Sequence, residues 1–175
     1  MAEMVIWITG LSGAGKTTLA NFLAGHFRSL GRPVVQLDGD EMRTVLGRKG
    51  GFDRETRFEI SRIYSRLAKY LAGQDLIVIV SVIGLFKKTF EWNSQNMEDY
   101  FEIFVDVPMD ELERRNSKKI YRQPSSGEHV FGVNLDVENP ENPDMHLVFE
   151  AGRSVEEIAR LCLEKIRGKF PAASV

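Results

Sequence analysis

Gly10-Leu11-Ser12-Gly13-Ala14-Gly15-Lys16-Thr17 fits the spacing G-x-x-x-x-G-K-[ST]. That arrangement curls main-chain N–H groups around phosphate oxygens. The glycines let the backbone approach an anion closely, Lys16 reaches the β- and γ-oxygens, and the Thr17 hydroxyl is the ligand expected for Mg²⁺. Thr18 follows in the same turn and completes the expected ATP-contacting run, Gly10 to Thr18. A second group with chemical potential is Asp38-Gly39-Asp40, with Arg43 three residues beyond. Two carboxylates so close can divide the labour of phosphoryl transfer. One accepts a proton from an attacking hydroxyl, the other organises Mg²⁺ through water, and an arginine holds an anionic acceptor. The plainer alternative is an Asp-Gly turn in which an aspartate caps the next helix.

These groups work only if the chain places them together, and its patterning does so. Met4 to Thr9 is a short apolar run that precedes the glycine-rich stretch, and Leu19, Phe22, Leu23, Phe27 and Leu30 follow at helical spacing, giving strand, loop, helix. Val34 to Leu37 re-enters a sheet after Gly31 and Pro33, which completes a βαβ unit and sets Asp38 at the end of a strand. In parallel sheets ligands gather at the carboxyl ends of the strands, so Asp38 and Asp40 belong beside the phosphate loop. Further strands are expected at Leu76–Val82, Tyr100–Val105 and Met145–Phe149, with helices through Ile60–Leu71, Lys87–Glu98 and from Ser154 onward. Ser154 and Glu157 have the capping-box spacing, and Val155, Ile158, Leu161, Cys162 and Ile166 are assigned to the inner face of that last helix. Runs that are apolar throughout imply a sheet covered on both faces, hence an α/β three-layer sandwich. The long irregular stretch Asn116 to Asp144, with Pro124, Pro140 and Pro143, reads as a lid.

Composition limits the function. The chain has 175 residues, 43% hydrophobic and 27% charged, which fits a single domain throughout. A net charge of −2 argues against duplex nucleic acid or an acidic membrane as the main partner. The longest apolar run falls well short of the roughly 20 residues that cross a bilayer. The start, MAEMVIWITG, lacks a basic n-region, and Cys162 is the sole cysteine; both fit a cytoplasmic protein. His26, His129 and His146 are too scattered to suggest a metal cluster. The guanine-reading pattern Asn-Lys-x-Asp is absent, since Asn116-Ser117-Lys118-Lys119 does not match it, so a small kinase is favoured over a regulatory GTPase.

Through nearly its whole length the sequence resembles the adenylylsulfate kinase family of P-loop kinases. The residues that carry the resemblance are GLSGAGKTTLA, LDGDEMR, Gly51-Phe52, Arg57, Phe101 to Pro108, Lys118 to Tyr121, Gly127-Glu128 and the PENPD of Pro140 to Asp144. The resemblance implies a nucleoside-monophosphate-kinase-like fold with a five-stranded parallel sheet ordered 2-3-1-4-5 and a lid. It also implies ATP with Mg²⁺, transfer to the ribose 3′-hydroxyl of adenosine 5′-phosphosulfate, and a homodimer. By the same resemblance Asp38 and Asp40 lie at the acceptor hydroxyl. Arg43, Phe52, Arg57, Ser81, Ile83 and the lid's Phe131 contact the acceptor, Lys118 sits over the phosphates, and Arg115 flanks the ATP base. Each has a plainer alternative: Phe52 in the core, Arg57 or Lys118 in solvent, Arg115 paired with Glu111 at helical spacing.

Three departures bear on the acceptor. Ile60 stands where the family usually has an asparagine that contacts the nucleotide. Gly84, in Ser81-Val82-Ile83-Gly84-Leu85-Phe86, replaces the second serine of Ser-Phe-Ile-Ser-Pro-Phe. Phe131-Gly132-Val133-Asn134-Leu135-Asp136 shifts the lid phenylalanine by one position and shortens the segment after it. A site built around a hydrogen bond discriminates strongly when that bond is lost. Two alternatives therefore stay open: a related 3′-hydroxyl kinase for another activated nucleotide, such as cytidine diphosphoramidate, and a nucleotide-binding regulatory module.

Overall fold

The computed structural model describes residues 4–47, 53–115, 121, 133 and 135–171. Five strands, β1 (Met4–Thr9), β2 (Val34–Asp38), β3 (Ile77–Val82), β4 (Tyr100–Asp106) and β5 (Met145–Val148), form one sheet in the order β2-β3-β1-β4-β5. Every pairing is parallel, with Val5 opposite Val78 on one side and opposite Tyr100 on the other. The sheet order expected from the resemblance is the order found. All six β1 residues and all six β3 residues are buried, as their unbroken apolar runs required.

Helices cover both faces. On one, α1 (Lys16–Ser29) and α6 (Val155–Lys169) enclose a core of Met4, Ile6, Ile8, Leu23, Phe27, Phe101, Ile103, Cys162 and Ile166. On the other, α3 (Arg54–Ala72) and α4 (Lys87–Asn96) pack over Val5, Trp7, Val78, Val80, Tyr64 and Phe90. The capping box at Ser154 is formed in both directions, Ser154 with the Glu157 amide and Glu157 with the Ser154 amide. Leu161 is 38% exposed rather than inward, because the buried stripe of α6 runs through Ala159, Cys162 and Ile166.

Two seven-residue helices escape a periodicity reading: α2 (Gly39–Val45) directly after β2, and α5 (Met109–Arg115) after β4. Of the stretch expected to be a lid, Tyr121, Val133 and residues 135–144 are described; Phe131, Lys118 and His129 lie outside the described residues, as does Phe52. No described helix is long and apolar enough to cross a membrane.

Candidate active site

The loop from Gly10 to Gly15 joins the centre strand to α1, so everything it holds sits over the middle of the sheet. Gly10 is obligatory at its base. Its φ is +149°, and a Cβ there would lie 2.4 Å from the Val105 carbonyl oxygen on the neighbouring strand. Gly15 caps α1 in a left-handed conformation, which leaves the first N–H groups of the helix facing the loop's hollow. Behind the hollow Ala14 is buried with Leu112, and Lys16, only 8% exposed, spans the loop by donating from Nζ to the Leu11 carbonyl at 2.7 Å. Gly10, Leu11 and Ala14 thus shape the loop from behind. Ser12, Gly13, Gly15, Lys16, Thr17 and Thr18 line a cleft of about 310 Å³.

Across that cleft stands the end of β2. Asp38 caps α2 by accepting the Asp40 amide on Oδ1 at 3.0 Å. Its other oxygen, Oδ2, accepts the Thr17 hydroxyl at 2.7 Å and the Ser81 hydroxyl at 2.9 Å. Partial burial pushes the Asp38 carboxyl up, but these hydrogen bonds to Thr17, Ser81 and backbone amides outweigh it and hold it below the usual aspartate range. The capping alternative for Asp38 is therefore realised together with contact to the phosphate loop; the two readings were not exclusive. Asp40 is exposed on the same wall of the cleft.

Beyond Asp40 the cleft continues into a recess of about 70 Å³ lined by Arg43, Arg57, Ile60, Ser61, Tyr64, Gly84 and Phe86, together with Gly39, Asp40, Val82 and Ile83. Burial, and then the charge of Arg43, brings the Arg57 guanidinium down to about 10 against an opposing pull from Asp53, so two cationic side chains stand together at this end of the cleft. Ile60 is 3% exposed and packs in the apolar cluster under the recess. Gly84 has φ +36°, and a Cβ there would meet Val82 at 3.0 Å. On the opposite flank a recess of about 250 Å³ is walled by Val105, Val107, Leu147, Phe149 and Ile158. Arg115 lies 4.7 Å over the Phe149 ring there, while its Nε donates to Glu111 at 2.5 Å. The helical pairing and the position beside the apolar recess are both present.

Sequence reasoning counted Tyr121 within the Lys118 to Tyr121 segment but gave it no place in the site. Its hydroxyl donates to the Ser12 carbonyl at 2.6 Å, and burial pushes the phenol up to about 12. It also missed Leu112, Ser61 and Tyr64 as lining residues; the Tyr64 hydroxyl reaches the Gly39 carbonyl at 3.3 Å. Tyr121 stands in a stretch without periodicity, Leu112 in the seven-residue α5 that periodicity does not reveal, and Ser61 and Tyr64 read as ordinary helix residues.

Comparison with known proteins agrees with this geometry. Over 166 residues the chain is 36% identical to an adenylyl-sulfate kinase of Synechococcus sp. (strain JA-3-3Ab), covering 94% of each. Over 164 residues it is 32% identical to a cytidine diphosphoramidate kinase of Campylobacter jejuni, covering 93% of this chain and 95% of the relative. A structure of the Mycobacterium tuberculosis APS kinase CysC in complex with AMPPNP and APS superimposes with a TM-score of 0.84 at 30% identity, over 94% of this chain and 97% of that one. The adenylylsulphate kinase family model matches residues 2–148, and with an apolar recess, a phosphate loop and an arginine-lined recess in that order across the carboxyl ends of the strands, the chain belongs to this family of ATP-using phosphotransferases.

Proposed function

We propose that the protein transfers the γ-phosphoryl group of ATP to the ribose 3′-hydroxyl of adenosine 5′-phosphosulfate, as one kinase domain. The observation that carries this reading is the row of three recesses: apolar with Arg115 at its mouth, then the phosphate loop with Asp38 and Asp40, then the corner of Arg43 and Arg57. The ATP base enters the first, its phosphates lie along Gly10 to Thr18, and the acceptor enters the third with its anionic 5′ group on the arginines. Asp40 takes the proton of the attacking hydroxyl as it adds in line to the γ-phosphorus, while ADP leaves. Asp38, kept ionised by its donors, fixes Thr17 and Ser81 at the point of transfer. Lys16 and the amides of the loop face the charge that spreads over the transferred group. The Thr17 hydroxyl and Asp38 carboxylate are hard oxygen donors that suit Mg²⁺, which usually takes one or two protein oxygens and completes its shell with water and phosphate. Bound there, it would offset phosphate charge. Phe52, Lys118 and Phe131 are assigned to the acceptor and phosphate contacts by the family resemblance alone. A cytoplasmic location and a homodimer are part of the same reading.

Ile60 and Gly84 favour a second reading, in which the acceptor is another nucleotide with an anionic 5′ group, cytidine diphosphoramidate among them. A buried isoleucine gives no hydrogen bond to an acceptor, and Gly84 removes a side chain from the wall of the recess. The test is to offer adenosine 5′-phosphosulfate and cytidine nucleotides in competition and locate the added phosphate in the product by ³¹P NMR. Exclusive 3′-phosphorylation of adenosine 5′-phosphosulfate supports the first reading. Preference for a cytidine acceptor replaces it with the second.

A further inference from the structure

Two walls of the recess holding Arg43 and Arg57 do not follow each other in the chain: α3, through Arg57, Ile60, Ser61 and Tyr64, and the segment 82–86 that leads into α4. One side chain from a third segment touches both. Glu138 accepts the Lys87 amide on Oε2 at 2.7 Å and pairs through Oε1 with Nη2 of Arg54. Its own amide donates to the Leu85 carbonyl at 3.2 Å, and Arg54 also donates to the Asp136 carbonyl at 3.1 Å. The arrangement answers a local need: the residue capping α4 is Phe86, which has no side-chain acceptor, so Glu138 supplies the carboxylate that this N-terminus lacks.

The Phe86 ring, at the end of the second wall, lines the recess. It meets Phe58 of α3 edge-on at 5.4 Å, and the Arg54 guanidinium sits 5.3 Å from its centroid. Lys87 adds a second tie to the same segment through Glu141 at 2.6 Å. We propose that Glu138 is a positioning residue for the acceptor: by bridging Arg54 and the start of α4 it holds Arg57 and Phe86 at a fixed separation, so the two walls of the recess act as one rigid receptor. It touches neither phosphate loop nor ATP recess. Its effect therefore falls on the acceptor and not on the donor. The functional half of this inference rests on the reading of the recess as the acceptor site; the mechanical half does not.

The experiment joins hydrogen exchange on the unliganded protein to steady-state kinetics with ATP and whichever nucleotide of an adenosine phosphosulfate and cytidine panel the wild type phosphorylates. Glu138→Ala should speed exchange in residues 53–58 and 86–90 together. It should raise the acceptor KM about tenfold or more, the loss of about 1.4 kcal/mol of binding, with the ATP KM within about twofold of wild type. Glu138→Gln keeps an oxygen for the Lys87 amide but loses the ion pair, so it should restore slow exchange at 86–90 and only part of the acceptor KM. Arg54→Gln should reproduce the change at 53–58 and add little to Glu138→Gln. Faster exchange confined to 86–90, a uniform rise across the protein, or KM values for ATP and acceptor that move in step would each overturn the proposal. If the wild type phosphorylates no acceptor, the proposed function falls, and the exchange pattern alone decides whether Glu138 joins the two walls.

Discussion

Replacing Glu102 by glutamine should stabilise the protein above neutral pH and leave it nearly unchanged in mild acid. Glu102 lies on β4, 7% exposed, on the face covered by α4. Its Oε1 accepts the Tyr100 hydroxyl at 3.2 Å, and the Tyr100 hydroxyl oxygen in turn accepts the Asn93 side-chain amide at 3.3 Å. Burial raises the carboxyl to about 7 from an ordinary 4.5; the Tyr100 hydrogen bond and Lys169 pull it down, and Asp144 pushes it up. The folded state therefore keeps a proton that the unfolded chain releases above about pH 4.5. Stability falls as pH rises between those two values and the loss is complete above about 7. At roughly 1.4 kcal/mol per pH unit the loss is on the order of 3 kcal/mol by pH 8. Glutamine can accept the same Tyr100 hydroxyl and does not titrate. At about 2–4 °C per kcal/mol for a chain of this size, its Tm should exceed wild type by roughly 6–12 °C at pH 8 and match it near pH 5. Calorimetric melting of both proteins at half-unit steps from pH 5 to 8.5 measures this. Parallel Tm curves for the two proteins would show that Glu102 does not carry the buried proton.

Asp40→Asn should lower turnover by about 100- to 10,000-fold while ATP binding, measured by calorimetric titration, stays within twofold; wild-type turnover would remove Asp40 from the reaction. Arg115→Ala should raise the ATP KM roughly three- to tenfold through loss of its stacking position over Phe149, with the acceptor KM unmoved. A matched rise in both KM values would place Arg115 elsewhere. Gly10→Ala should cost about 2 kcal/mol or more in urea unfolding, since a Cβ would collide with the Val105 carbonyl and sit at a positive φ. Unchanged stability would show that the loop can move away from β4.

Much of this arrangement is written in the residue order alone. The phosphate loop was legible because its glycines, lysine and threonine are contiguous and flanked by a strand and a helix whose periods differ. The site beside it was legible because Asp38 ends a strand, and parallel strands all end on the same side. Helices α2 and α5 were not, since seven residues span about two turns and give too little repeat to separate from a loop. Leu161 was assigned inward on period alone, yet the inner stripe of α6 is set by its contact with α1. Tyr121 reaches Ser12 across 109 positions and Glu138 reaches Arg54 across 84, and no local pattern encodes a contact of that range.

The most direct test of the account is ADP formation from Mg·ATP by the wild-type protein, with and without a nucleotide acceptor. Acceptor-dependent ADP, matched mole for mole by an acceptor heavier by one phosphate, is the predicted result. ADP formed equally in its absence, or none with adenosine 5′-phosphosulfate and the cytidine nucleotides alike, would contradict the assignment of the arginine-lined recess as an acceptor site.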